Sequence, residues 1–148
     1  VAPVYEYLKR GIPVAIGTDG PASNNCLDFF REMFLTTGLQ KLSHGAEAVD
    51  AMDVLTMACK NGAYACGFAD CDCLAPGKQA DLILIDLQQP NMQPLNNIEK
   101  NVVYSGSKQN VILTMIAGKV LYERGEFMIG DDPARIYAEA NRIIHGMK

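Results

Sequence analysis

The residues that most constrain this chain run from Gly11 to Asn25. A short apolar run, Val14-Ala15-Ile16-Gly17, follows Pro13 and opens into the polar stretch Thr18-Asp19-Gly20-Pro21-Ala22-Ser23-Asn24-Asn25. An apolar run bounded by Gly and Pro, with no polar alternation, reads as a buried parallel strand. Pro3 to Arg10 reads as the end of a helix closed by Gly11. A second helix is predicted after the loop, with Asn25 as N-cap and Asp28 three residues on as a weak capping box. Leu27, Phe30, Phe34, Leu35 and Leu39 would form its apolar face. Helix, strand, polar loop and helix in that order make an α/β unit.

The remainder changes character. Asp50 is predicted to cap a helical region from Ala51 to Cys66, with Val54, Leu55, Ala58 and Cys59 on its buried face. Asn61-Gly62 should break or kink it, because Gly costs about 1 kcal/mol in a helix relative to Ala. After Gly67 the pattern turns to strands: Leu82 to Ile85, Val102 to Tyr104, and a hairpin of Val111 to Ile116 with Val120 to Tyr122 around Ala117-Gly118-Lys119. Phe127 to Ile129 is read as a final short strand. Asp132 and Pro133 then open a last helix with Ile136, Ala140, Ile143 and Ile144 as its buried stripe.

Composition removes several classes of function. With 49% hydrophobic and 20% charged residues, the chain is globular. A net charge of -4 argues against a nucleic-acid partner. No apolar run approaches the roughly 20 residues of a membrane span. Five cysteines at scattered spacing make a poor disulfide framework, so reduced thiols and a cytoplasmic setting are expected. Cys71-Asp72-Cys73 lacks the second ligand pair of a structural zinc site. The sequence opens at Val1 with a helical pattern already under way, and is expected to be cut from a longer chain.

Asp19 is the candidate for chemistry. A carboxylate at the C-terminal end of a barrel strand can ligate a metal and accept a proton from a metal-activated water. The residues alone leave a second reading open, a tight turn stabilised by Asp. Ser23 to Asn25 likewise read either as a polar loop at the mouth of a site or as helix-capping residues.

Gly17-Thr18-Asp19-Gly20-Pro21-Ala22-Ser23-Asn24-Asn25, followed by Leu27-Asp28 and Glu32-Met33, closely resembles the last barrel strand and helix of the amidohydrolase superfamily. The likeness is to its methylthioadenosine/S-adenosylhomocysteine deaminase and triazine chlorohydrolase branch. Met57-Ala58-Cys59-Lys60-Asn61-Gly62-Ala63 resembles the helix after the barrel, with Cys59 where Thr is usual. Pro76-Gly77-Lys78-Gln79-Ala80-Asp81-Leu82-Ile83-Leu84-Ile85-Asp86 resembles the strand that re-enters a small β-domain. Val102-Val103-Tyr104 and Ala117-Gly118-Lys119-Val120 resemble later strands there, with Ala117 where Asn is common.

The resemblance implies an α/β chain: the C-terminal fragment of a (β/α)8 barrel plus part of a composite β-sandwich. Residues 1–66 would close the barrel, 67–130 would belong to the sandwich, and 131–148 would form a terminal helix. It implies that Asp19 is both metal ligand and catalytic acid/base, with Asp19, Ser23 and Asn24 near the substrate. The divalent metal would be zinc, with iron or manganese compatible with similar ligands. The family's histidine ligands have no counterpart here, since His44 and His145 match no ligand position. The implied activity is hydrolytic deamination of an aminopurine nucleoside by the intact protein, this segment alone being inactive. A triazine-type or other heterocycle hydrolase is the alternative within the class, and a non-catalytic scaffold module is the alternative outside it. The expected partners are a small heterocyclic substrate and a second copy of the chain, with no nucleic acid or membrane.

Overall fold

The computed structural model describes residues 1–147. A helical layer comes first: α1 (Val4–Lys9), α2 (Phe29–His44), α3 (Ala51–Ala58) and α4 (Lys60–Ala65). A strand β1 (Leu82–Ile85) and a helix α5 (Ile98–Ser105) follow, then β2 (Val111–Ile116), β3 (Lys119–Glu123), β4 (Glu126–Phe127) and α6 (Pro133–Gly146). The core lies where α2, α3 and α5 meet, around Phe30, Met33, Val54, Met57, Val102 and Val103.

The helix α1 ends as predicted, with Gly11 in the left-handed region at φ 68. In α2 the cap is Asp28, not Asn25: its Oδ1 accepts the Phe30 N–H at 3.1 Å. The buried face also differs from the predicted one. Phe30, Met33, Thr37 and Gln40 are inside, whereas Leu27, Phe34, Leu35 and Leu39 are exposed. The 3-4-3 spacing of the buried set is helical, but two of its members are polar. They tolerate burial because they are paired. The Thr37 hydroxyl donates to Val49 O at 2.7 Å. The Gln40 amide accepts from Tyr5 N at 3.1 Å and donates to Ala2 O at 3.0 Å, joining α1 to α2.

Asp50 caps α3 through a reciprocal bond pair with Asp53. The helical region breaks at Cys59 (φ -98, ψ -77), two residues before the predicted Asn61-Gly62. Gly62 lies inside α4. The predicted strand Val102 to Tyr104 is part of α5. Asn97 caps it by accepting the Lys100 N–H at 2.8 Å, and Asn101 Nδ2 donates to Met92 O at 2.8 Å. Packing against α2 and α3 buries Val102 and Val103 and overrides their β-branched preference.

The sheet is antiparallel in the order β1-β2-β3-β4. Leu82 pairs with Met115, Leu113 with Glu123 and Tyr122 with Phe127. The hairpin turn carries Ala117 and Gly118 at φ 50 and 75, so both central residues are left-handed, as a two-residue primed turn requires. The β4 strand is shorter than the predicted Phe127 to Ile129 and starts one residue earlier. The helix α6 begins as predicted, with Asp132 accepting the Ala134 N–H at 2.9 Å. Its expected buried stripe is not buried: Ile136, Ile143 and Ile144 are all exposed. Among the described residues, no helix is long and apolar enough to cross a membrane.

Candidate active site

The predicted strand Val14 to Gly17 is extended but joins no ladder among the described residues. A strand needs a neighbour to take its N–H and C=O groups, and among the described residues none pairs with this one. Its alternation is nonetheless that of a strand. Val14, Ile16 and Thr18 are partly buried, while Ala15, Gly17 and Asp19 are exposed. Val14 and Ile16 pack against the helical core. Asp19 is thus exposed, as are Ala15 and Gly17 before it.

Two side-chain amides brace this segment where a ladder would. Asn61 Nδ2, from α4, donates to Val14 O at 2.8 Å. Asn24 Nδ2 donates to Thr18 O at 2.9 Å and to Glu32 Oε1, on α2, at 2.8 Å. The Asn24 Oδ1 accepts the Cys26 N–H at 3.1 Å. Two acceptors face one end of the amide and an N–H faces the other, which determines its orientation.

Asp19 sits in the left-handed region at φ 59, which non-glycine residues occupy only where their surroundings hold them. Its Oδ1 accepts the Gly20 N–H at 2.7 Å. The Gly20 carbonyl in turn accepts the N–H groups of Ser23 at 3.1 Å and Asn24 at 2.9 Å, and the Ser23 hydroxyl at 3.2 Å. The Ser23 hydroxyl, then the Gly20 N–H, hold the Asp19 carboxyl below the ordinary carboxylate range. The acid is thus ionised at neutral pH and open to solvent.

The three predicted site residues lie together in one loop, but in different postures. Asp19 and Ser23 are exposed, whereas Asn24 is half-buried with its amide engaged at both ends. A cavity of about 590 Å³ runs between Pro13 to Ala15 and α4, and Asp19, Ser23 and Asn24 do not line it. Among the described residues, no three His, Cys, Asp or Glu side chains gather as a metal site. His44 stacks near Tyr5, with ring centroids 4.8 Å apart, and His145 lies in the last turn of α6. Two bracing residues, Asn61 and Glu32, escaped the sequence reading as parts of the site. The sequence presents Asn61 as a helix breaker and Glu32 only as part of a motif. The signal available for Glu32 was its eight-residue spacing from Asn24 across a capped helix start.

The amidohydrolase family model matches residues 1–121, and the chain belongs to that family. It is 38% identical to a 5-methylthioadenosine/S-adenosylhomocysteine deaminase of Dictyoglomus thermophilum, over 100% of this chain and 35% of that protein. It superposes on an adenosine deaminase from Xanthomonas campestris with bound zinc at a TM-score of 0.90 and 36% identity, covering 95% of this chain and 32% of that one. It also superposes on the atrazine chlorohydrolase TrzN from Arthrobacter aurescens complexed with zinc, at 0.87 and 27% identity, covering 97% and 32%. The chain thus spans about a third of the length of these relatives.

Proposed function

We propose that this chain forms part of a metal-dependent hydrolase that deaminates an aminopurine nucleoside of the methylthioadenosine or S-adenosylhomocysteine type. The single observation that carries the reading is Asp19: an exposed, ionised carboxylate at the end of an apolar segment that packs on the helices. The deaminase relatives support the substrate class. In this reading residues 1–66 complete a (β/α)8 barrel, 67–130 belong to a β-sandwich and 131–148 form a terminal helix.

Asp19 fits a divalent ion as one oxygen ligand. Zinc is favoured because both solved relatives carry it. A zinc site takes three or more protein ligands, and the described residues do not gather them. The segment by itself is therefore expected to be inactive. When bound, such an ion lowers the pKa of a water to about 7. With that ion in place, Asp19 would serve as the acid/base, holding a proton on the carboxylate oxygen not engaged by Gly20 and giving it to the leaving amino group. Ser23, beside the acid in the same loop, would border the substrate. One water is consumed, the amino group leaves as ammonia and the ring carbon gains oxygen.

Asp19→Asn in the full-length protein should lower ammonia release from methylthioadenosine by about 10²–10⁴-fold, the usual worth of general acid–base catalysis. Wild-type turnover in that variant would sink the reading. The second reading, hydrolysis of a halogenated triazine, is favoured by the TrzN likeness. Chloride release from a chlorotriazine, with no ammonia from methylthioadenosine, would select it.

A further inference from the structure

We propose that Asn24, anchored by Glu32, is a positioning residue for Asp19. This rests on the reading of Asp19 as the reacting acid. Asn24 holds the chain on both sides of position 19. Its side chain donates to the Thr18 carbonyl at 2.9 Å, and its backbone N–H donates to the Gly20 carbonyl at 2.9 Å. The peptide that precedes Asp19, Thr18–Asp19, and the peptide one residue beyond it, Gly20–Pro21, are thus tied to one residue. The second hydrogen of the same amide goes to Glu32 Oε1 at 2.8 Å. Glu32 stands on α2 beside Met33, one of the core residues, so the tether ends on a packed helix.

The left-handed backbone of Asp19 gives this tether its importance. A residue at φ 59 needs surroundings that specify it, and a small rotation there swings the carboxylate away. Ladder bonds do not supply that restraint, since none reach the segment among the described residues. Both hydrogens of the Asn24 amide are donated within the chain, and its oxygen already accepts the Cys26 N–H. Asn24 therefore acts on substrate through Asp19 and not by contact.

The test uses the full-length protein with zinc as the metal probe and methylthioadenosine as substrate. Loss of groups that orient a metal ligand typically costs 10–100-fold in metal affinity or activity. Asn24→Ala is expected to lower kcat by about 10–100-fold with KM little changed, and to weaken zinc binding by a similar factor. Amide exchange at Gly20 in the metal-free protein should quicken, while its Tm stays near that of the wild type. Glu32→Ala should act in the same direction. Glu32→Gln should recover most of that loss, because its amide oxygen still accepts from Asn24. Wild-type kcat and zinc affinity in Asn24→Ala would overturn the proposal. So would a Glu32→Gln variant as impaired as Glu32→Ala, which alone decides the matter if Asn24→Ala fails to fold. Full activity in Asp19→Asn would instead overturn the reading of the acid, whatever Asn24 does.

Discussion

Two extended apolar segments of this chain meet opposite fates. Leu82–Ile85 pairs along its length with β2 and becomes a strand. Val14 to Gly17, also a short apolar run, packs Val14 and Ile16 on the helices and pairs with nothing among the described residues. The first is held by main-chain bonds that any sequence of the right shape could make. The second is held by two particular side chains, Asn24 and Asn61, at its two ends. The difference teaches that extended structure is a property of the sequence, whereas a strand is a property of its neighbour. The candidate acid sits on the segment whose geometry depends on named side chains.

The comparison can be broken by proline. Thr114 lies in the central strand β2, paired on both sides with Ile83 and Tyr122. Thr114→Pro in this chain should cost about 1–3 kcal/mol for the orphaned ladder partner alone, seen as a loss of denaturant midpoint. Ala15→Pro should cost less here, because no ladder bond is lost. In the full-length protein, where we propose barrel neighbours for residues 14–17, the two penalties should converge. Equal penalties in the present chain would show that the two segments do not differ as described.

A smaller effect is expected at the hairpin. Ala117 holds φ 50 in the primed turn and is exposed. Asn tolerates that region far better than Ala. Ala117→Asn should therefore stabilise by a part of the roughly 1–2 kcal/mol that the left-handed region costs an ordinary residue, read as a rise in Tm. No rise would mean that the turn is not left-handed at this position.

The smallest expected effect concerns pH. Asp81 Oδ1 accepts the Ala117 N–H at 2.6 Å, and Oδ2 accepts the Cys71 thiol at 3.2 Å, so the turn of β2 and β3 is tied back to the start of β1. The Ala117 N–H, then the Cys71 thiol, hold this carboxyl below its ordinary range. A carboxyl depressed in the folded state adds stability that is fully present above its unfolded pKa, about 3.9, and is lost as pH falls through the folded value. Asp81→Asn should therefore lower Tm at neutral pH and narrow its gap to the wild type as acid is added. A gap that widens toward low pH would contradict this sign.

Much of the architecture was legible because it is local. The caps at Asp50 and Asp132, the stop at Gly11, the strand Leu82 to Ile85 and the turn at Gly118 each depend on residues within a few positions of one another. The loop that carries Asp19 was equally legible, since Gly20, Ser23 and Asn24 follow it directly. The errors fall where distant residues decide. The burial of Thr37 and Gln40 over Phe34 and Leu39 depends on Val49, Tyr5 and Ala2. Val102 to Tyr104 became helix because α2 and α3 offered it a surface.

The sequence by itself determined where the chain turns, which helices begin and end, and that an acid follows an apolar extended run. Only the tertiary structure decided which faces are buried, which extended runs become strands, and that Asn24, Asn61 and Glu32 brace the acid's segment. The physical reason is range. A cap or a turn is closed by neighbours along the chain, whereas a ladder or a buried polar group is satisfied only by a partner that folding brings alongside.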